Sequence, residues 1–134
     1  MAVGPRLDKA ASRERVIVID DDETVRELCA EALLEAGYRV DAFGAGEDAL
    51  RAMPSLEPDV LVVDWNMPGL DGAEVARRAR TLDPSLPVLM ISGNRVAATI
   101  AAEAAGVRHV LGKPFLLEEL VAAVAALTPR PLRR

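Results

Sequence analysis

Side chains that can carry chemistry follow four of the short apolar runs in this chain of 134 residues. In chain order, these residues are Asp20 and Asp21 after the run 16–19, Asp64 after 60–63, Ser92 after 87–91 and Lys113 after 109–111. Asp is almost never buried without a partner, so packing is a poor reason for a carboxylate at the end of a buried run. A nucleophile at the mouth of a parallel sheet is a better reason, and Asp64 is our candidate for it.

The combination of side chains indicates phosphoryl chemistry at a magnesium site. Carboxylates that crowd together repel one another unless they are protonated or neutralised by a cation. Hard oxygen ligands suit Mg²⁺, which keeps several of its waters and binds phosphate oxygens in their place. A hydroxyl from Ser92 and an ammonium from Lys113 would bind the remaining phosphoryl oxygens.

Taken singly, several of these residues have an ordinary structural interpretation. Asp22 and Glu23 favour the first turn of a helix through its dipole, although the acids before them exceed what capping needs. Lys113 before a proline is typical of a solvated loop residue. Ser92 is equally well explained as ending its strand by bonding to the backbone. Only their joint occurrence at strand ends favours the functional interpretation.

The elements that must position these residues alternate along the chain. Short apolar or alternating runs predict strands at 16–19, 38–43, 60–63, 87–91 and 109–111. Helical spacing predicts helices at 23–36, 46–53, 72–81, 96–105 and 116–127, the second of them ending before Pro54. Five strands alternating with five helices predict an α/β fold whose parallel sheet is covered on both faces. Right-handed crossovers would place the carboxyl ends of all strands at one edge.

Composition and charge narrow the class of protein. The chain is 51% hydrophobic and only 3% aromatic, which predicts an aliphatic core. Its net charge of -5 argues against direct nucleic-acid binding and against acidic membranes. A single cysteine, Cys29, excludes an internal disulfide, and no signal peptide or membrane-length apolar run is present. We expect a cytoplasmic domain at 14–128, with a poorly ordered arm at 1–13 and a frayed tail at 129–134.

Four motifs together resemble the receiver domain of two-component response regulators, of the chemotaxis-regulator type, over residues 14–128. They are Val-Ile-Val-Ile-Asp20-Asp21-Asp22, Val-Val-Asp64-Trp65-Asn66-Met67-Pro68-Gly69-Leu70-Asp71-Gly72, Pro87-Val-Leu-Met-Ile-Ser92-Gly93 and Gly112-Lys113-Pro114-Phe115. The resemblance implies a flavodoxin-like doubly wound (βα)5 sandwich with a five-stranded parallel sheet in the order 2-1-3-4-5. It also implies a signalling function.

The resemblance assigns the chemical roles. Asp64 would accept a phosphoryl group from a sensor histidine kinase, a histidine phosphotransfer protein or a small acyl phosphate. Asp21, Asp64 and the backbone carbonyl of Asn66 would bind Mg²⁺ (or Mn²⁺), and Asp20 would act through a coordinated water. Ser92 and Lys113 would bind phosphoryl oxygens. The chain would then be no enzyme in the ordinary sense, since it phosphorylates itself and loses the phosphate slowly.

The resemblance also assigns supporting roles and exposes one departure from the family. Gly93 would leave room for the phosphoryl group, and Asn66 and Asn94 would tune its lifetime. The peptide bond before Pro114 would be cis. Receivers usually carry Tyr or Phe three residues before the lysine, whereas this chain has Val110 there. We therefore predict that a signal passes through the loop after Ser92 and the helix at 96–105.

The partners implied are a downstream effector or output domain, without direct contact to nucleic acid or membrane. A homodimer through the 96–127 face is a further implied partner, because the helix at 96–105 carries few charges. Tight packing of its alanines explains the same composition equally well.

Two other functions stay open at this point. A pseudo-receiver would bind partners without phosphorylation, and Val110 is the residue that favours it. A haloacid-dehalogenase-type phosphatase would use Asp20 as nucleophile, since Asp20-x-Asp22-x-Thr24 fits that family's pattern. The phosphatase leaves Asp64 without a role and lacks an acidic motif after Lys113.

Overall fold

The computed structural model describes residues 13–128, in which five strands alternate with five helices. The strands are β1 (Arg15–Ile19), β2 (Arg39–Phe43), β3 (Val60–Asp64), β4 (Val88–Ser92) and β5 (His109–Gly112). The helices are α1 (Glu23–Glu35), α2 (Gly46–Leu56), α3 (Gly72–Leu82), α4 (Arg95–Ala104) and α5 (Leu117–Leu127). The strands form one parallel sheet in the order β2-β1-β3-β4-β5. The predicted fold and strand order are confirmed.

The sheet separates two apolar clusters, because alternate residues of a strand point to opposite faces. Ile17, Leu61 and Met90 lie on the face covered by α2, α3 and α4. Val18 and Val62 lie on the other face, beneath α1 and α5. Every fully buried apolar side chain in residues 13–128 is aliphatic or sulfur-containing, as the low aromatic content predicts.

The central strands are the most deeply buried part of the sheet. All five residues of β3 and all five of β4 are buried, whereas the edge strands β2 and β5 are only partly covered. A carboxylate at the last position of β3 is therefore placed at the mouth of the core. Within residues 13–128, no helix has the length and apolar character needed to cross a membrane.

One predicted boundary is wrong. Helix α2 does not end before Pro54 but continues through it to Leu56. Proline lacks only its own N–H, so an exposed proline late in a helix removes a single bond and leaves the following turn intact. The amide of Glu57, in the left-handed region at φ 50°, donates to the carbonyl of Met53 (2.9 Å) and closes the helix. The expectations for residues 1–12 and 129–134 fall outside the described residues.

Helix α3 begins directly behind the end of β3. The amide of Gly72 donates to the carbonyl of Trp65 (2.9 Å). A Cβ atom at position 72 would lie 2.5 Å from the carbonyl oxygen of Asp64 and 2.8 Å from Cα of Trp65. Only glycine permits this approach, which fixes the backbone that carries Asp64 against the first turn of α3.

Candidate functional site

The sheet places the predicted site residues side by side at its carboxyl edge. Ile19 is in register with Val63, so Asp20 emerges next to Asp64. Ser92 ends the neighbouring strand β4 and is in register with Gly112, the residue before Lys113. Asp20, Asp64 and Ser92 are the three buried polar residues of the described chain, with 2%, 5% and 1% of their surface exposed.

Lys113 connects the two buried carboxylates. Its Nζ lies 3.3 Å from Oδ1 of Asp64 and 3.5 Å from Oδ2 of Asp20. Its backbone amide donates to the carbonyl of Ser92 (2.7 Å), and the peptide bond to Pro114 is cis, as predicted. Lys113 is thus a part of the acidic cluster, and its interpretation as a solvated loop residue is wrong.

The loop from β1 to α1 holds Asp20 through several hydrogen bonds. Oδ1 of Asp20 accepts from the amide of Asp22 (2.9 Å), and its carbonyl accepts from Nη1 of Arg26 (2.8 Å). Asp22 in turn caps α1, because its Oδ1 accepts from the amides of Thr24 and Val25. The structural role predicted for Asp22 is confirmed. The sequence analysis did not identify the role of Arg26, whose partner is a backbone carbonyl rather than a side chain.

The acidic residues fit a hard divalent cation. Carboxylate oxygens of Asp20, Asp21 and Asp64 all lie within 4.8 Å of one another. Oδ2 of Asp20 is buried and accepts no hydrogen bond from the described residues. The cluster holds three carboxylates and one ammonium, which leaves it negative. Oxygen ligands, a buried oxygen that has an ion pair with Lys113 (3.5 Å) but no hydrogen bond, and excess negative charge favour the binding of Mg²⁺.

The charged form of Asp64 is unfavourable when no cation is bound to the acidic cluster. Burial and the charge of Asp20 raise the pKa of Asp64 above its usual 3.8, and Lys113 only partly offsets this. Burial lowers the pKa of Lys113, but the carboxylates of Asp20 and Asp64 outweigh it and hold that pKa above 10.5. The ammonium therefore keeps its charge at neutral pH, ready to pair with an additional anionic oxygen.

The hydroxyl of Ser92 forms its hydrogen bonds within its own loop. Its Oγ donates to the carbonyl of Asn94 (3.0 Å) and accepts from the amide of Asn94 (2.9 Å). The side chain of Asn94 caps α4 by accepting from the amide of Ala97 (3.1 Å). The backbone interpretation of Ser92 thus describes this structure. Gly93 between them is exposed, and a Cβ there would meet no atom within 4 Å.

The remaining predicted residues surround this core of the site. Asn66 is exposed in the loop two residues after Asp64. Val110 is half-buried in β5 beside Met90 and packs against the cluster under α2, α3 and α4. Cδ of Arg95 lies 3.6 Å from where a Cβ of Gly112 would be, so the stem of Arg95 covers β5 next to Lys113. The sequence offered no signal for that contact.

Known proteins share both sequence and fold with this chain. Residues 16–125 match the family model of the response regulator receiver domain. The chain is 42% identical over 117 residues to the response regulator MprA of Mycobacterium ulcerans (strain Agy99), covering 87% of this chain and 50% of that protein. The chain spans about half the length of the curated relatives that it matches.

Solved structures give the same result. A putative response regulator from Chloroflexus aurantiacus J-10-fl is 36% identical, with a TM-score of 0.83 over 89% of this chain and 100% of that one. The Vibrio cholerae chemotaxis protein CheY4 is 27% identical, with a TM-score of 0.82 over 87% of this chain and 99% of that one. With its acidic cluster in the predicted place, the chain belongs to the response regulator receiver domain family of two-component systems.

Proposed function

We propose that Asp64 accepts a phosphoryl group from the phosphohistidine of a sensor histidine kinase or a histidine phosphotransfer protein. The observation that carries the proposal is the position of Asp64. It is a buried carboxylate at the end of β3, 3.3 Å from the Lys113 ammonium and beside the oxygens of Asp20 and Asp21. A carboxylate with an ammonium and further acidic oxygens beside it suits nucleophilic attack on a phosphoryl group.

In the proposed transfer, a carboxylate oxygen of Asp64 attacks phosphorus, and the bond from phosphorus to the donor histidine nitrogen breaks. Lys113 is positioned to move its ammonium from Asp64 to a phosphoryl oxygen, which neutralises charge in the transition state. Ser92 would bind a second phosphoryl oxygen once its hydroxyl leaves Asn94. Asp21, Asp64 and the carbonyl of Asn66, with Asp20 beside them, would hold Mg²⁺, which supplies further positive charge when bound.

The product is a signalling state of the domain rather than a released compound. Water would return the aspartyl phosphate to the carboxylate slowly, with Asn66, Gly93 and Asn94 setting access to it. The signal would reach an output domain or effector in the cytoplasm. The α4 surface supports a partner on the 96–127 face, because Val96 and Ile100 expose 74% and 65% of their surface there.

The test is to incubate the chain with a small acyl phosphate and Mg²⁺ and to measure the intact mass. We expect the mass of one phosphoryl group on the wild type and none on Asp64→Asn. Asp48→Asn, which alters an exposed carboxylate paired with Arg51, is the matched control and should react like the wild type. Phosphate that persists in Asp64→Asn but disappears in Asp20→Asn would support a phosphatase-type nucleophile instead.

A pseudo-receiver is the second candidate, and Val110 is the observation that favours it. Trp65 lies half-buried next to Asp64 and reports on the site without a label. Beryllofluoride with Mg²⁺ should change the fluorescence of Trp65 in the wild type and not in Asp64→Asn. Partner binding that ignores beryllofluoride would identify the pseudo-receiver.

A further inference from the structure

Arg26, in the first turn of α1, reaches back to the loop that carries the acidic residues. Its backbone amide donates to the carbonyl of Asp22 (2.9 Å), whereas Nη1 of its side chain donates to the carbonyl of Asp20 (2.8 Å). Arg26 is half-buried and, among residues 13–128, forms no ion pair with a carboxylate. This arginine therefore binds the backbone of the acidic loop and not one of its carboxylates.

The guanidinium of Arg26 lies in a place that Gly44 leaves open. Gly44 follows the last residue of β2, and a Cβ there would lie 2.9 Å from Nη1 and 3.6 Å from Cζ of Arg26. The residue before it, Phe43, accepts a hydrogen bond at its carbonyl from the amide of Asp20 (3.1 Å). Contacts at the end of β2 thus flank Asp20 on both sides, with Phe43 at its amide and the guanidinium against Gly44 at its carbonyl.

The carbonyl that Arg26 binds belongs to the peptide between Asp20 and Asp21. A peptide unit is planar, so fixing its oxygen also fixes the direction of the following amide and the place of the next Cα atom. Oδ1 of Asp20 has a further bond to the amide of Asp22. Among residues 13–128, no group donates a hydrogen bond to the carboxylate of Asp21. The position of the Asp21 carboxylate therefore depends on this peptide.

We propose that Arg26 is a positioning residue for the Mg²⁺ site. Its guanidinium, bound to the carbonyl of Asp20 and seated on Gly44, sets the plane of the peptide that joins two of the carboxylates. The acidic oxygens of the site then lie within 4.8 Å of one another before any cation binds. Replacing a residue that orients the ligands of a metal typically weakens metal binding by roughly 10- to 100-fold.

The charge of Arg26 and its position have opposite effects on Mg²⁺ binding. Removing a cation near an acidic site strengthens the attraction of that site for Mg²⁺. Removing a residue that orients the ligands weakens Mg²⁺ binding instead. A merely structural role would lower the free energy of unfolding and leave the dissociation constant of Mg²⁺ unchanged. The direction of the change in affinity therefore separates these three roles.

The test measures the dissociation constant of Mg²⁺ from the fluorescence of Trp65, in the absence of any phosphodonor. We expect Arg26→Met, which keeps the apolar stem and removes the donors, to raise this constant about tenfold. The backbone amide of Asp21 should also shift in this variant in metal-free buffer. Arg51→Met, which removes an exposed guanidinium paired with Asp48, is the matched control and should bind Mg²⁺ like the wild type.

Gly44→Ala tests the same contact without altering Arg26. The new Cβ would overlap the end of a flexible side chain rather than backbone, so the guanidinium must move while the fold is retained. We expect Gly44→Ala to cause part of the loss of Mg²⁺ affinity that Arg26→Met causes. Added to Arg26→Met, it should cause no further loss, because two residues that act through one contact are not additive.

The inference rests on the proposed function, because both concern the same Mg²⁺ site, but the two fail in different ways. A wild type whose Trp65 fluorescence does not respond to Mg²⁺ would contradict the site and with it both proposals. A wild type that binds Mg²⁺, with an Arg26→Met variant that binds it equally or more tightly, would overturn the inference alone. Additive losses from Gly44→Ala and Arg26→Met would also overturn it, because Gly44 would then act without Arg26.

Discussion

At the scale of single residues, the site is arranged for binding rather than for stability. Asp20 and Asp64 are both nearly inaccessible to solvent, yet they share a single ammonium. Their repulsion destabilises the folded chain until a bound cation or phosphoryl group changes the charge around them. Replacing one carboxylate should therefore remove function and gain stability.

We predict that Asp64→Asn raises the free energy of unfolding by roughly 1 kcal/mol at pH 7 in metal-free buffer. Because the folded-state pKa of Asp64 lies above 3.8, ionisation opposes folding. The stability of the wild type therefore falls as pH rises from 3.8 through that higher pKa, and asparagine removes this loss. Urea unfolding of the wild type and Asp64→Asn at pH 4 and pH 7 measures this difference in stability.

Magnesium should reverse the order of stability of the wild type and Asp64→Asn. Ligand that binds only the folded state stabilises it by mass action, so Mg²⁺ should stabilise the wild type and have little effect on Asp64→Asn. Asp48→Asn, which removes a surface charge, should alter neither measurement appreciably. An Asp64→Asn chain that is less stable than the wild type in chelator would contradict the electrostatic interpretation.

The sequence predicted which residues meet but not every contact they make. The acids and Lys113 follow strands whose carboxyl ends must share an edge, so their meeting follows from topology alone. The bonds of Ser92 to Asn94 and the contact of Arg95 with Gly112 depend on the path of a loop, which no periodicity encodes. Arg26 was missed because its partner is a backbone carbonyl, which has no sequence signature.

At the scale of elements, the helices that follow β3 and β4 are each coupled to the site by one small contact. Helix α3 is coupled by the close approach of Gly72 to the carbonyl of Asp64. Helix α4 is coupled by Asn94, which caps it and also bonds to Ser92. The capping contacts of α1 and α3 were predictable, because Asp22 and Asp71 stand directly before helical runs. The end of α2 was not predictable, because a helix can accommodate one proline near its end.

We predict that Gly72→Ala costs about 1 to 3 kcal/mol of unfolding free energy, because the new Cβ would overlap backbone rather than a side chain that can move. It should also weaken the beryllofluoride response of Trp65, since the strand end must shift. Gly93→Ala is the control for stability, as its Cβ would meet no atom within 4 Å. Equal unfolding midpoints for the two variants would show that the approach of α3 is not restrictive.

We further predict that beryllofluoride moves the amides of residues 94–104 as well as those beside Asp64. If Ser92 turns its hydroxyl to the bound group, both bonds to Asn94 break and the cap of α4 loosens. Ser92→Ala breaks the same bonds permanently, so its α4 amides should be shifted before any addition. Shifts confined to the Asp64 pocket would contradict transmission through α4 and leave Val110 unexplained.

At the scale of the whole molecule, the charge of the site extends to a thiol buried in the core. Cys29 is a buried residue of α1, only 1% exposed, yet Asp20 influences its ionisation. Burial and the charge of Asp20 raise the pKa of the Cys29 thiol from 9.0 to about 11, against a smaller opposing effect of Lys113. The thiol should therefore resist alkylation in the folded chain.

We predict that the free energy of unfolding falls over a defined range of alkaline pH. The folded-state pKa of Cys29 is raised, so its contribution is complete below pH 9 and disappears as pH rises through 11. By pH 10 the loss from this thiol is about 1 kcal/mol. Urea unfolding of the wild type and Cys29→Ala at pH 8 and pH 10 should show a smaller decline in the variant. Parallel declines would show that Cys29 does not cause the loss, since the contribution of Lys113 is lost only above its ordinary pKa of 10.5.

The first and last described residues also lie close together. Arg13 and Thr128 line the same cavity at the foot of α1, beside Gly37 and Tyr38. A closed loop of elements with adjacent ends can be cut and rejoined without threading. A circular permutant that links 128 to 13 through a short glycine-serine bridge, and opens instead at the exposed turn after α3, should fold to the same sheet. For the same reason the domain can be inserted into a surface loop of another protein with little disturbance to either.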